Sequence, residues 1–211
     1  MEIIRVSRSR PSQTKLEPAL ASLLAGGVIV HPTETVYGLG VDAWNVKAVA
    51  RVRDIKGRKP AKPMLALVKD HAMAEQYAYF DERALKLSRE FWPGPLTMVL
   101  PAKDLKVAQN LGDARKIALR VSPEPMVRTF IEAIKGPLLS TSANVNGQDV
   151  CYNTEDVERQ FANRQYQPDF IINAGKLPAI HPSTVIDLTR PGLVLIRAGQ
   201  ISRADIESVL R

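Results

Sequence analysis

The stretch His31-Pro-Thr-Glu-Thr-Val-Tyr-Gly-Leu-Gly40 carries the strongest local signal in this chain. It follows the apolar run Val28-Ile29-Val30, which is typical of a buried strand. Thr33, Thr35 and Tyr37 place hydroxyl groups near the end of that strand, beside glycines that let backbone N–H groups approach a bound group. The stretch therefore predicts either a ligand-binding loop or a tight structural turn that satisfies its own polar groups.

Length and composition limit the class of protein. A chain of 211 residues with 45% hydrophobic and 24% charged residues is ordinary for one globular domain. No apolar run approaches the roughly 18 residues that a membrane span needs. The start, Met1 to Arg5, lacks the apolar core of a signal peptide, and Cys151 is the only cysteine. We therefore expect a cytoplasmic protein without an intramolecular disulfide.

The positive charge of the chain is concentrated in one segment. Between Lys47 and Lys69 eight cations stand against a single acid, Asp54, while the whole chain has a net charge of +7. Like charges repel each other, so such a cluster either has an anionic partner or lies on a solvated face. Phosphate is the leading partner, on a nucleotide or along a nucleic acid. The three histidines are far apart in the sequence, so we expect no zinc site.

Helical and strand patterns alternate along the sequence, which predicts an α/β protein. Helices are predicted at about 16–24, 45–57, 83–91, 126–134, 154–164 and 202–210. Strands are predicted near the N-terminus and at 28–30, 64–68, 96–100, 117–121, 138–139, 170–173, 184–188 and 193–197. Because no linker or repeat divides the chain, we predict one domain over 1–211, with a twisted mixed parallel and antiparallel sheet and helices on its faces.

Several polar groups stand at predicted strand or helix ends. Lys56 and Arg58 share one short turn and can hold a triphosphate, or they complement a helix dipole. The run Ser140-Thr-Ser-Ala-Asn144 can bind a base, ribose or phosphate, or form a cap or Asx turn. Ser183 and Arg197 flank apolar strands in the same way.

Arg120 interrupts the apolar run Ile117 to Val121, with Ala118 and Arg120 on the face opposite Ile117, Leu119 and Val121. An unpaired buried charge is costly, so Arg120 needs an anionic partner. A substrate carboxylate and an internal Asp or Glu both satisfy this requirement.

Seven motifs occur in an order that resembles the YrdC/YciO family over about residues 14–201. They are Pro32-Thr-Glu-Thr-Val-Tyr-Gly-Leu-Gly40, Lys56-Gly-Arg58, Phe91-Trp-Pro-Gly-Pro-Leu-Thr97, Ala118-Leu-Arg-Val121, Ser140-Thr-Ser-Ala-Asn144, Pro182-Ser-Thr-Val-Ile-Asp187 and Ile196-Arg-Ala-Gly199. Within the family the chain is similar to the short, single-domain, TsaC-like synthases. The resemblance implies the YrdC-like α/β twist.

The resemblance also implies a nucleotidyltransferase activity. Such enzymes make L-threonylcarbamoyladenylate and pyrophosphate from L-threonine, bicarbonate and ATP. Mg²⁺ would arrive bound to ATP, because the motifs contain no carboxylate cluster to hold it separately. The product would pass to the tRNA threonylcarbamoyl transferase machinery, which forms N6-threonylcarbamoyladenosine in tRNA.

Site residues follow from the resemblance position by position. Lys56 and Arg58 would be the catalytic cations that bind the triphosphate. The other predicted ATP-binding residues are Ser140, Ser142, Asn144 and Arg197. The predicted threonine-binding residues are Thr33, Thr35, Tyr37, Arg120 and Ser183. Glu34 would have a structural role, and no residue is predicted to bind a metal directly.

The chain departs from the family pattern at three places. Lys59 replaces the usual Pro after Arg58, Asn146 replaces the Ser that many members have before Gly147, and the strand at 65–68 lacks a His. The competing interpretation is a double-stranded RNA or tRNA-binding protein of the YciO type without synthase activity. The intact Lys-x-Arg and Ser-x-Asn motifs favour the synthase, and the hydroxyl-rich pocket fits threonine while leaving serine open as a substrate.

Overall fold

The structure is a computed structural model that describes residues 1–57 and 63–211. Its strands are β1 (Glu2–Arg5), β2 (Ile29–His31), β3 (Gly38–Asp42), β4 (Leu65–Val68), β5 (Leu96–Pro101), β6 (Lys116–Val121), β7 (Leu138–Ser142), β8 (Phe170–Asn173), β9 (Thr184–Asp187) and β10 (Val194–Arg197). Its helices are α1 (Gln13–Leu24), α2 (Val46–Lys56), α3 (His71–Tyr77), α4 (Glu82–Phe91), α5 (Leu105–Leu111), α6 (Pro125–Ile134), α7 (Thr154–Phe161) and α8 (Arg203–Leu210). Within those two ranges, no helix combines the length and apolarity that crossing a bilayer requires.

All ten strands form one mixed sheet in the order β1-β8-β2-β3-β7-β4-β6-β5-β9-β10. The pairs β1/β8, β2/β8, β4/β6 and β5/β9 are parallel, and the other neighbours are antiparallel. The predicted α/β class with a mixed sheet is therefore confirmed. Strands close in sequence are often distant in the sheet, so residues from widely separated motifs meet on one surface.

Side-chain alternation in β6 divides the sheet into two chemically different faces. Ile117, Leu119 and Val121 belong to the larger hydrophobic core, as the apolar pattern predicted. Ala118 and Arg120 point the other way and line a cavity. The strand register extends this alternation to neighbouring strands, because the cavity-lining residues Leu65, Val99 and Ser140 occupy paired positions on β4, β5 and β7.

A smaller hydrophobic core covers part of the cavity face. Helices α1 and α6 pack there against one another and against β2, β4, β7 and β8. Its largest fully buried side chains include Leu16, Leu23, Phe130 and Ile29. The strands beyond this pair of helices leave the same face open, and this arrangement gives the protein its cavity.

Local sequence signals explain where helix α2 begins and ends. The Asn45 side chain accepts a hydrogen bond from the Ala48 N–H at 3.0 Å, as its capping residue type predicted. Gly57 ends the helix with a φ of +62°, a left-handed conformation that glycine adopts at little cost. Lys56 is therefore the last helical residue, and its backbone position is fixed by the cap.

Strand β7 extends to Ser142, three residues beyond the strand predicted at 138–139, and three elements were missed altogether. Gly38 to Asp42 form the central strand β3, where we predicted a turn, because two glycines lower strand propensity and hide the pattern. Helices α3 and α5 were not predicted. Each has 7 residues, too few to show a clear helical period, although Asp70 and Asp104 cap them.

The central position of β6 leads to a stability prediction. Leu119→Ala should lower the free energy of unfolding by about 2–5 kcal/mol, because Leu119 is completely buried and the substitution leaves a cavity. The matched control is Leu105→Ala on α5, where the side chain is 58% exposed and the expected loss is about 1 kcal/mol or less. Urea unfolding monitored by circular dichroism measures both, and equal losses would contradict this description of the core.

Candidate active site

A cavity of about 650 Å³ lies on the sheet face opposite the main core. Strands β3 to β7, β9 and β10 contribute to its lining, together with the end of α2 and the loops after β2 and β7. Nine of the sequence-predicted site residues line it: Thr33, Thr35, Lys56, Arg120, Ser140, Ser142, Asn144, Ser183 and Arg197. Arg58 lies outside the described residues.

Lys56 is buried at the end of α2, with only 2% of its surface exposed. Its Nζ donates hydrogen bonds to the Ser142 carbonyl, to the Asn144 carbonyl at 2.8 Å and to Asn144 Oδ1 at 3.2 Å. The backbone N–H of Asn146 donates to the Lys56 carbonyl at 2.8 Å. Lys56 therefore lies at the end of α2, not in the short turn that the sequence predicted, and it ties the turn after β7 to that helix.

The Ser-x-Asn turn is also held together by its own hydrogen bonds. Ser142 Oγ donates to Asn144 Oδ1, and Asn144 Nδ2 donates to the Gln148 carbonyl at 2.6 Å and the Val145 carbonyl at 3.1 Å. These bonds fix the turn differently from the predicted Asx turn, in which the Asn side-chain oxygen accepts from a backbone N–H two residues on. Both side chains also line the cavity, as the ligand-binding interpretation requires.

Arg120 carries a guanidinium group into the cavity lining while being only 4% exposed. Its Nε is 3.4 Å from Glu34 Oε1, and among the described residues neither atom has a hydrogen-bond partner. Burial lowers the pKa of Arg120, and the nearby charge of Glu34 opposes that shift. Ser122 Oγ donates to the other oxygen of Glu34. Glu34 is thus the internal acid that Arg120 required, and it offsets the arginine charge without satisfying its donors.

The loop containing Thr33 and Thr35 is stabilised from two sides. Thr33 Oγ1 donates to the Val36 carbonyl at 2.7 Å and accepts from the backbone N–H groups of Thr35 and Val36 at 3.1 Å. Arg8 donates to the Thr33 carbonyl at 3.2 Å and to the buried Glu124 carboxylate at 2.9 Å. Thr33 therefore shapes the loop, and Arg8 links that loop to the start of α6.

Tyr37 does not line the cavity, although the family resemblance implied a threonine-binding role. Its side chain is fully buried, and its hydroxyl donates to the Gly175 carbonyl at 2.7 Å and accepts from the Ala174 N–H at 3.1 Å. Burial raises the pKa of Tyr37, which keeps the phenol protonated. In this structure Tyr37 links the strand-end loop to the segment after β8.

Ser183 and Arg197 meet at the side of the cavity formed by β9 and β10. Arg197 Nη2 donates to Ser183 Oγ at 2.8 Å and Nε donates to the Ser183 carbonyl at 3.0 Å. The hydroxyl of Thr97 is 3.0 Å from Ser183 Oγ. Burial lowers the pKa of Arg197, and the charge of Arg120 lowers it further. Two neighbouring guanidinium groups in one cavity favour an anionic ligand.

Among the polar lining residues, Thr97, Lys116 and Asp187 received no role from the sequence. Lys116 Nζ is 3.1 Å from Asp187 Oδ2, so a salt bridge closes this part of the cavity. The alternation that placed Ala118 and Arg120 on one face of β6 also places Lys116 on that face, so this signal could have identified Lys116 as a cavity residue. Thr97 and Asp187 end two of the quoted motifs, and a comparison of strand ends would have selected them.

The cations of the basic segment are distributed among several contacts. Arg51 makes two hydrogen bonds of 3.0 Å to the Asp169 carboxylate. Arg53 donates to a backbone carbonyl at 3.2 Å, and Lys56 holds the turn after β7. Residues 58–62 lie outside the described ranges. Arg51, Arg53 and Lys56 therefore contact other groups of the protein, which weakens the argument that the segment forms a continuous surface for nucleic acid.

Sequence comparison assigns the chain to a family. The sequence model of the Sua5/YciO/YrdC family, described as "Telomere recombination", matches residues 21–199. The chain belongs to the Sua5/YciO/YrdC family. A relative from Pseudomonas putida named threonylcarbamoyl-AMP synthase is 35% identical over 188 residues, which cover 86% of this chain and 99% of that protein.

A second relative with the same name, from Pyrococcus abyssi, is 33% identical over 211 residues, and the chain spans only 61% of its length. The crystal structure of P. abyssi Sua5 complexed with L-threonine aligns with a TM-score of 0.89 and 32% identity, covering 100% of this chain and 61% of that one. E. coli YciO aligns with a TM-score of 0.84 and 26% identity, covering 98% of this chain and 100% of that one. These matches confirm the predicted family and the YrdC-like fold.

The buried position of Lys56 leads to a second prediction. Lys56→Met should lower the free energy of unfolding by about 1–3 kcal/mol, because the oxygens of Ser142 and Asn144 lose their donor. Lys47→Met, at an exposed position of the same helix, should change it by less than about 0.5 kcal/mol. Chemical unfolding of the two variants makes the comparison, and an equally small effect at Lys56 would show that the ammonium does not hold the turn.

Proposed function

We propose that this chain is an L-threonylcarbamoyladenylate synthase, which forms its product and pyrophosphate from L-threonine, bicarbonate and ATP. The observation that carries the proposal is the convergence of nine predicted site residues in one cavity. Curated relatives with the synthase name support it, and so does the L-threonine complex of P. abyssi Sua5.

The threonine carboxylate is assigned to Arg120. The guanidinium is buried in the cavity wall, and Glu34 offsets its charge from 3.4 Å without a hydrogen bond to Nε. The N–H donors of Arg120 match the two oxygens of a carboxylate, which arginine binds as a fork. Arg197 and Ser183 would contact the ligand from the opposite wall of the cavity.

The proposed reaction is a nucleotidyl transfer. The amine of threonine and bicarbonate give a carbamate and water, and a carbamate oxygen then attacks the α-phosphorus of ATP while pyrophosphate leaves. Negative charge spreads over phosphoryl oxygens in the transition state, so fixed cations and positioning supply most of the catalysis. Lys56 and Arg58 would provide that charge, with Ser142 and Asn144 beside Lys56. Mg²⁺ would enter with ATP, coordinated mainly by phosphate oxygens.

The product is a mixed anhydride, so a transferase must consume it quickly. We propose that the acceptor is tRNA and that the tRNA threonylcarbamoyl transferase machinery acts downstream. Direct binding of tRNA or duplex RNA by this chain is the competing function. It has less support because several cations of the basic segment already contact groups of the protein itself. Strong weakening of RNA binding with salt would indicate backbone contacts, whereas a closed nucleotide pocket depends less on salt.

The direct test measures pyrophosphate release from Mg-ATP while threonine and bicarbonate are omitted in turn. We expect release only when both are present. Release with serine but not threonine would keep the mechanism and change the substrate. ATP binding without any turnover would contradict the synthase proposal, and RNA binding without ATP binding would favour the competing function.

The assignment of Arg120 gives a third prediction. Arg120→Lys should raise the KM for threonine about tenfold or more, because lysine cannot reproduce the fork, while the KM for ATP should change little. The control is Arg128→Lys on α6, where the side chain is 65% exposed and paired with Glu132. Steady-state assays of both variants measure the two KM values. An increase confined to the KM for ATP would contradict the assignment and indicate that Arg120 binds the nucleotide.

A further inference from the structure

His31 is a buried residue that lies behind the cavity wall. It ends β2 and is completely inaccessible to solvent, and its ring packs edge-on against Phe130 with centroids 6.0 Å apart. Its Nε2 lies 3.3 Å from Ser140 Oγ on β7. Strand β3 separates β2 from β7, so this contact crosses an intervening strand, a distance of roughly 9–10 Å between backbones.

Two glycines of β3 make the contact possible. A Cβ atom at Gly38 would lie 2.8 Å from Ser140 Oγ and 3.2 Å from His31 Nε2. A Cβ atom at Gly40 would lie 2.8 Å from His31 Cδ2. A side chain at Gly38 would crowd both the serine hydroxyl and the ring, and one at Gly40 would crowd the ring, so the groups in contact would have to shift. The glycines of the opening motif therefore form a gap in β3, through which His31 reaches a residue of the cavity wall.

The hydrogen bonds of the ring define the direction of the contact. His31 Nδ1 is 3.0 Å from the Pro32 carbonyl, which can only accept, so Nδ1 carries the proton. Burial lowers the pKa of His31 to about 4, so the ring is neutral near pH 7 and Nε2 has only a lone pair. Ser140 Oγ must then donate its hydrogen to Nε2.

We propose that His31 is a positioning residue that acts through Ser140. By taking the hydroxyl hydrogen, His31 leaves the lone pairs of Ser140 Oγ to face the cavity as an acceptor. Ser140 then selects a ligand N–H or O–H group and disfavours phosphate and carboxylate oxygens, which only accept. The proposal rests on the proposed function for the identity of that donor, which belongs either to the amino acid or to the ribose of ATP.

The hydrogen-bond direction has a test that needs no activity. Nitrogen-15 NMR of the histidine rings in the wild-type protein distinguishes a protonated from an unprotonated ring nitrogen, and His71→Asn and His181→Asn assign the other two rings. We expect a proton on Nδ1 and none on Nε2 of His31. A proton on Nε2 would overturn the proposal, whether or not the protein is a synthase.

A double-mutant cycle tests the consequence for the ligand. His31→Phe and Ser140→Ala should each lower kcat/KM roughly 5- to 15-fold, the equivalent of one hydrogen bond. The double variant should be no worse than Ser140→Ala, because His31 acts only through Ser140. A raised KM for threonine would place the donor on the amino acid, and a raised KM for ATP would place it on the ribose.

A structural role for His31 predicts a different pattern. Losses that multiply in the double variant would show that His31 acts independently of Ser140, and would overturn the proposal. His31→Gln is the second variant, since its side-chain oxygen can accept near the position of Nε2. We expect it to recover most of the activity lost in His31→Phe at a similar Tm. Failure to recover activity in a folded His31→Gln protein would also contradict the proposal.

Discussion

The alternation of side chains along β-strands is the constraint on which this structure depends. A strand that buries Leu119 and Val121 in the main core must present Arg120 on its other face, because successive side chains point in opposite directions. Neighbouring strands repeat the pattern in register, so polar groups from distant motifs collect on one surface. Helices α1 and α6 cover part of that surface, and the remainder is the cavity.

Burial of charge determines how the cavity is organised. Each buried cation needs compensation, since removing it from water costs several kcal/mol. Glu34 provides it for Arg120, and backbone carbonyls provide it for Lys56. Asp187 pairs with Lys116, which is only partly buried. These contacts also hold the side chains in place before a ligand arrives. Catalysis of phosphoryl transfer benefits from such preorganised charge.

Much of the fold was predictable because local rules agree with the tertiary structure. Caps such as Asn45 and apolar periodicity located most helices and strands, and the interrupted run around Arg120 located the cavity face. Strand β3 was missed because Gly38 and Gly40 have low strand propensity. Glycine stands at both positions where a Cβ atom would crowd the contact between His31 and Ser140. The burial of Tyr37 and the tie made by Lys56 depend on partners over 80 residues away, which no local pattern shows.

The most direct test of the account is a crystal structure of this protein with L-threonine and a non-hydrolysable ATP analogue. We predict the threonine carboxylate within hydrogen-bonding distance of Arg120, the phosphates next to Lys56 and the Ser142–Asn144 turn, and a ligand N–H or O–H group on Ser140. Threonine bound outside the cavity, or phosphate oxygens bound to Arg120, would contradict the central claim that this cavity orients threonine and ATP for adenylyl transfer.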